Sequence, residues 1–156
     1  MVSLAAIAAG PVTAWASDGG ALFTQNCLMC HQAGAVGLPG QFPRLAGRIA
    51  AISSKPKGRA YLIDVLTYGM AGTITVDDQT IIGLMPPFAQ LSNDEVAGVL
   101  SYVQSIGPPA AAGSPALETP AAFTAAEVRA GRANTAKTAT DVRAERQSLE
   151  DAKIIK

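Results

Sequence analysis

The chain has 156 residues, of which 49% are hydrophobic and 15% are charged, and its 12 basic and 12 acidic side chains give no net charge. This composition suits one core-forming domain with an attached segment, and it offers no cluster of Lys and Arg that would bind nucleic acid. Aromatic residues make up only 5% of the sequence, so we expect something other than aromatic side chains to fill part of the core.

Residues 1–16 are uncharged and end in Ala14-Trp15-Ala16. A small-x-small ending after a short apolar run predicts a signal peptide that is cleaved before Ser17, and therefore export to the periplasm. The run is too short for a membrane span, which needs about 20 residues. It also lacks the usual basic start. The alternatives are a frayed, Ala-rich terminus or a retained segment that would act as a weak membrane anchor.

Residues 17–26 predict a helix that is capped by Ser17 or Asp18 and whose apolar face continues to the two cysteines. A loop rich in Gly and Pro follows at residues 33–47. Helical spacing returns in the stretch RAYLIDVLTYGM, and Gly69 and Gly72 are expected to stop this helix, with Met70 at its end.

The stretch TITVDDQTIIG predicts either a short hairpin or an irregular loop, with its turn at Asp77-Asp78. We expect the following LMPPFAQ to be irregular, because proline removes backbone donors. Ser92 and Glu95 form a capping box that begins the best-signalled helix, which ends at Gly107.

Residues 108–122 are mostly Pro, Ala, Gly and Ser and predict a linker. Residues 123–156 form a separate tail with a capping box at Thr124 and Glu127. The large apolar residues of the tail are too scattered for a continuous helical stripe. We therefore expect either a disordered extension or a helical element that docks on a partner and leaves the domain at 17–107 nearly unaffected.

The segment CLMCH holds every Cys and His of the chain, namely Cys27, Cys30 and His31. A structural zinc site needs four such ligands and finds only three here. A dithiol redox motif belongs in an alternating β/α chain, which this sequence does not predict. A plain disulfide would leave His31 unexplained. The pattern is instead typical of covalent haem attachment through Cys-x-x-Cys-His.

Helical spacing explains this pattern, because Cys27, Cys30 and His31 then share one face. The two thiols can form thioethers to one porphyrin, while the imidazole approaches the iron. One motif predicts one covalent haem c, which would also fill the core that the few aromatic residues leave open.

A second axial ligand is expected, and Met is the usual partner of His in electron-carrying haem proteins. We favour Met85, because Pro86 and Pro87 stiffen the loop that would present its sulfur. Met70 as the ligand and an open sixth position are the alternatives. The chain has four methionines: Met1, Met29, Met70 and Met85.

Three further residues are candidates for contacts around the haem. The carbonyl of Pro43 is placed to accept a hydrogen bond from the second ring nitrogen of His31. Arg44 and Tyr61 are candidate contacts for the haem propionates, although nothing in the sequence establishes this.

Residues 17–107 resemble a class I cytochrome c, through CLMCH, PRLAG, MPPF and the four-residue spacing of Gly19, Phe23 and Cys27. The resemblance implies an all-α fold around one haem, in which the first and last helices cross at a small residue. That residue would be Gly19, with Phe23 packed near Val99 and Tyr102. The segment 61–103 is also similar to small cytochrome c subunits of periplasmic dehydrogenases. The chain departs from the family in its tail and in having no Trp beyond residue 15.

Three functions are compatible with these features. The first is an electron carrier without catalytic activity, working as the cytochrome subunit or acceptor of a periplasmic dehydrogenase and passing electrons to a further acceptor. The second is a free, soluble cytochrome c shuttle. The third is a haem enzyme or gas sensor with a displaceable Met, which would need acid or base groups near the iron.

Overall fold

The computed structural model describes residues 18–107, 120–133 and 136–155. The predicted signal peptide and most of the 108–122 linker therefore lie outside the described residues. Within the described parts, no helix combines the length and apolar character that a membrane crossing requires. The elements in chain order are α1 (Gly19–Asn26), α2 (Leu28–His31), a 3-10 turn (Ala33–Ala35), α3 (Arg48–Ser53), α4 (Pro56–Tyr68), β1 (Met70–Val76), β2 (Gln79–Met85), α5 (Asn93–Ser105), α6 (Ala125–Gly131) and α7 (Ala139–Asp151).

Helices α1 and α5 cross at two glycines, as the resemblance implied for Gly19. A Cβ at Gly19 would lie 2.1 Å from the carbonyl oxygen of Gly98, so any side chain there would push the helices apart. One turn further on, the rings of Phe23 and Tyr102 pack with their centroids 5.6 Å apart. Asp18 caps α1 by accepting from two backbone N–H groups. The crossing therefore holds the start of the attachment motif against the last helix of the domain.

The prediction of an all-α fold needs correction, because β1 and β2 form an antiparallel hairpin in which Met70 pairs with Met85. The hairpin alternative for this stretch is confirmed, with Asp77 and Asp78 at its turn with φ of 51° and 60°. Two residues of positive φ match the twist of a two-residue hairpin turn, and Asp tolerates this conformation. Met70 accordingly begins a strand instead of ending a helix. Met85 ends a strand instead of lying in an irregular loop.

The expectation that the tail has little to bury against its own domain is wrong. Both α6 and α7 pack on the domain, and five tail side chains belong to its core cluster: Phe123, Val128, Val142, Leu149 and Ile155. The expectation failed because it sought one continuous stripe. The tail instead forms two short helices, and α7 buries positions i, i+4 and i+7 (Val142, Arg146 and Leu149), of which the middle one is charged.

Polar contacts also join the tail to α4. Arg59 donates to Glu127 across a 2.5 Å contact and lies 3.8 Å from the ring centroid of Phe123. Lys137 pairs with the buried Asp64, also at 2.5 Å. Because these partners are 68 and 73 residues apart in sequence, the pairs bind the tail to the middle of the chain.

Candidate haem-binding site

The attachment motif adopts the helical turn that the sequence predicted. The amide of His31 donates to the carbonyl of Cys27 at 2.9 Å, and the amide of Cys30 donates to the same oxygen at 3.2 Å. The two cysteines are not joined to each other by a disulfide. The turn therefore holds Cys27, Cys30 and His31 in the arrangement that two thioethers and one axial ligand require.

The environment of Cys27 differs from that of a redox dithiol. Burial, and to a lesser extent the neighbouring Cys30, raises the pKa of Cys27 to about 11. The reactive cysteine of a Cys-x-x-Cys oxidoreductase has a lowered pKa and is a thiolate near neutral pH. A thiol in the surroundings of Cys27 would be neutral at that pH, which argues against the dithiol alternative.

The orientation of the His31 ring is set by the backbone. His31 is 6% exposed, and its Nδ1 lies 3.0 Å from the carbonyl oxygen of Pro43. Because a carbonyl oxygen only accepts, Nδ1 carries the proton and Nε2 keeps its lone pair. Burial lowers the pKa of His31, against the opposing effect of this hydrogen bond, and so favours the neutral, metal-binding imidazole.

A tight approach of the chain brings the Pro43 carbonyl to His31. Gly37 has a φ of +69°, and a Cβ there would lie 2.5 Å from the carbonyl oxygen of Phe42. Its amide donates to the carbonyl of His31 at 2.9 Å. Gly37 thus connects the attachment turn to the segment that carries Pro43.

One cavity brings most of the predicted site residues together. Most of its lining is aliphatic, from α3, α4, α5 and the hairpin. The predicted residues that line it are Cys27, His31, Pro43, Arg44, Tyr61 and Met85, whereas Cys30 is not among the lining residues.

Both candidate methionines line this cavity, but their surroundings differ. The sulfur of Met70 lies 3.4 Å from the Tyr61 hydroxyl, which donates to it. Met85 is positioned through its backbone, because the end of α4 approaches the Met85 carbonyl at Gly69. Gly69 has a φ of +75°, and a Cβ there would lie 2.5 Å from the Met85 carbonyl oxygen. A thioether sulfur has two lone pairs, so this hydrogen bond does not decide between the two methionines, and Met85 stays the predicted ligand.

Arg44 and Tyr61 lie at the cavity, as expected for candidate propionate contacts, but each already has protein partners. Arg44 makes two hydrogen bonds to Asp77, at 2.7 and 2.8 Å, and the guanidinium lowers the pKa of that carboxyl. Burial raises the pKa of Tyr61, so its hydroxyl stays protonated and can donate.

Two charged residues of the lining were not expected from the sequence, Arg48 on α3 and Arg146 on α7. A signal for Arg146 was present, since it occupies the i+4 position between the apolar Val142 and Leu149. A charged residue within such a stripe either disrupts the packing or faces a polar group.

The residues present fit a covalent haem. Two thiols and an imidazole with an available Nε2 lie on one turn beside the cavity, and a thioether sulfur lies on another element of its lining. The remaining polar lining residues are cationic or hydroxylic and suit the carboxylates of a porphyrin. Cys27 and Cys30 would hold the haem covalently, while His31 and Met85 are the predicted iron ligands.

Comparisons with known proteins also indicate a protein with a c-type haem. A family model described as "Cytochrome C oxidase, cbb3-type, subunit III" matches residues 14–103, which is more than half of the chain. The chain is 46% identical over 87 residues to a cytochrome c-552 of Thermus thermophilus, and equally so to a second cytochrome c-552 from a strain of the same species.

These alignments cover 56% of this chain, and 66% and 58% of the two relatives. The chain therefore spans less than two thirds of the length of either protein. The family model and the attachment motif together show that the chain belongs to the cytochrome c family, as a mono-haem cytochrome c with one covalently bound haem c.

Proposed function

We propose that this protein is an electron carrier in which His31 and Met85 would both bind the haem iron. The observation that supports this most strongly is that both side chains line the same cavity, on different elements. The haem supplies a one-electron Fe(III)/Fe(II) couple when bound. The chain itself holds the two ligands in a largely aliphatic cavity, which keeps water away and favours the reduced state.

A haem enzyme is the weaker proposal, because catalysis would need an acid or base beside an open position. Among the cavity-lining residues that the structure describes there is no Asp, Glu or second His. Tyr61 is the one hydroxyl, and burial raises its pKa. The polar lining therefore suits binding of anionic groups better than proton transfer.

The ligand assignment is tested with Met85→Ala, using Met70→Ala as the matched control from the same cavity. Met85→Ala should abolish the near-infrared sulfur-to-iron band of the oxidised protein, lower its potential and let the reduced protein bind carbon monoxide. Met70→Ala should keep the band. Loss of the band only in Met70→Ala would reverse the assignment. Rapid carbon monoxide binding by the unmodified reduced protein would favour a sensor.

We propose the outer face of the hairpin as the surface that meets redox partners. Along β1 and β2, alternation turns Met70, Ile74 and Met85 towards the cavity. On the opposite face, Ile82 and Leu84 are 77% and 68% exposed. This two-stranded layer lies between the haem cavity and solvent, and its exposed apolar side chains suit a small, transient contact.

Electron self-exchange between ferric and ferrous copies, measured by NMR line broadening, tests this surface without a partner protein. Ile82→Glu and Leu84→Glu should slow the exchange about tenfold, because like charges would then face each other in the encounter. Ala51→Glu, at an exposed position on α3, makes the same change in charge and should have little effect. Equal slowing in all three variants would contradict the assignment.

We further propose export to the periplasm and a dehydrogenase as the electron donor, with the free shuttle as the alternative. Export is supported by the pattern of residues 1–16, and the donor by the resemblance of residues 61–103 alone. The chain should be isolated under native conditions from periplasmic extracts of its source. A co-purifying flavin, quinone or molybdenum protein that reduces the haem would support the first, whereas recovery as a lone, readily reducible cytochrome would support the shuttle.

A further inference from the structure

The polar end of the haem cavity contains a residue that comes from the tail. Arg146, on α7, is 4% exposed and lines the cavity together with Arg44 and Arg48. None of the described residues lining this cavity is acidic. A largely aliphatic cavity with three guanidinium groups suits a ligand that combines an apolar body with carboxylates.

The protein leaves the guanidinium of Arg146 incompletely paired. One terminal nitrogen lies 3.5 Å from the Tyr61 hydroxyl, at the limit of a hydrogen bond, and the other donates to the carbonyl of Thr75 at 3.1 Å. The Nε atom is 2.7 Å from a carboxylate oxygen of Glu150, yet it is buried and makes no hydrogen bond.

A guanidinium has five N–H donors, and leaving them unpaired in a buried site is costly. Arg44 is in a different position, since Asp77 accepts two of its hydrogen bonds and Ala46 a third. Of Arg44 and Arg146, only Arg146 therefore has a buried N–H donor without a hydrogen bond, although Glu150 lies close enough to balance part of its charge.

We propose that Arg146 binds a propionate of the haem, so that the C-terminal tail completes the haem site and helps to set its reduction potential. The tail is then a part of the redox centre as well as a stabilising layer. The inference rests on the haem c of the family and does not depend on which partner exchanges electrons with it.

The test compares Arg146→Gln with Arg143→Gln in the full-length holoprotein. Both arginines lie on α7 and donate to β1 carbonyls, of Thr73 for Arg143 and Thr75 for Arg146, but only Arg146 lines the cavity. Loss of a cation near the haem should favour the oxidised form. We expect Arg146→Gln to shift the ratio of reduced to oxidised protein about tenfold at a given potential, which is about 59 mV for a one-electron couple.

Arg143→Gln should change this ratio less than about twofold, since exposed charges are screened. Arg146→Lys keeps the charge and should recover most of the potential, but it loses the planar fork of donors. It should therefore shift the propionate bending band in the resonance Raman spectrum, whereas Arg143→Lys should not.

Equal shifts of potential in Arg146→Gln and Arg143→Gln would overturn the proposal, as would no shift in either. If Arg146→Gln does not yield holoprotein, the Raman comparison of the two lysine variants decides, and an unchanged propionate band in Arg146→Lys overturns the proposal. Neither measurement uses a partner protein, so failure here leaves the electron-carrier proposal to its own tests.

Discussion

Leu149→Ala tests whether the tail is part of the folded domain. Leu149 is 4% exposed and lies in the same core cluster as residues of α4 and α5. Truncating a buried Leu to Ala costs about 2–5 kcal/mol, depending on how far the surroundings collapse. Because α7 is a peripheral helix that can shift inward, we expect about 3 kcal/mol. For a chain of this size, that loss lowers the melting temperature by roughly 6–12 °C.

The assay is thermal unfolding of the oxidised holoprotein, followed by circular dichroism in the Soret region, which reports the surroundings of the haem. Ser148→Ala is the matched control, because Ser148 is the exposed neighbour of Leu149 on α7. Such a surface change should stay within about 0.5 kcal/mol. Truncation after Pro109 removes all five buried tail side chains and should destabilise the domain further.

If Leu149→Ala melts within about 2 °C of the unmodified protein, the cost lies below roughly 1 kcal/mol. The tail would then contribute little to the haem domain, and its packing on α4 and β1 would be incidental. That outcome would restore the view of residues 123–156 as an independent segment.

Two further predictions concern the loop at the axial histidine and the acid stability of the tail. Gly37→Ala should lower the free energy of unfolding by about 1–3 kcal/mol and weaken the hydrogen bond from His31 to the Pro43 carbonyl, which would shift the imidazole N–H resonance. Gly40→Ala is the control, because Gly40 also has a positive φ but has open space around it. It should therefore introduce the backbone strain and leave that resonance in place. The Arg59 guanidinium lowers the pKa of Glu127 from its usual 4.5 to about 2, so stability from this pair should be complete above about pH 4.5 and lost as the pH falls towards 2. Glu127→Gln, which keeps a capping residue, should remove this acid-dependent part of the melting temperature, and an unchanged pH profile would contradict the pairing.

What the tail and the hairpin contribute depends on contacts that are distant in sequence. In the sequence, Arg146 is a polar residue that interrupts an apolar pattern, and only the packing of α7 against β1 places it at the haem cavity. Similarly, Thr, Ile and Val favour a strand weakly, and the register that pairs Met70 with Met85 is visible only in the folded chain. Local propensity is too weak to decide such features, because burial against distant partners supplies most of the free energy.

The sequence by itself determined the chemistry of the centre. Attachment of a haem depends on three side chains within five residues, and the helical turn that aligns them spans the same five residues. The motif CLMCH therefore predicts the haem without any tertiary information. The capping boxes at Ser92 and Thr124 could be predicted for the same reason, since each joins residues that are three apart in sequence. The tertiary structure alone decided that the tail belongs to the domain, that a hairpin covers the cavity and that a third arginine reaches it, because each of these arises between residues that are far apart along the chain.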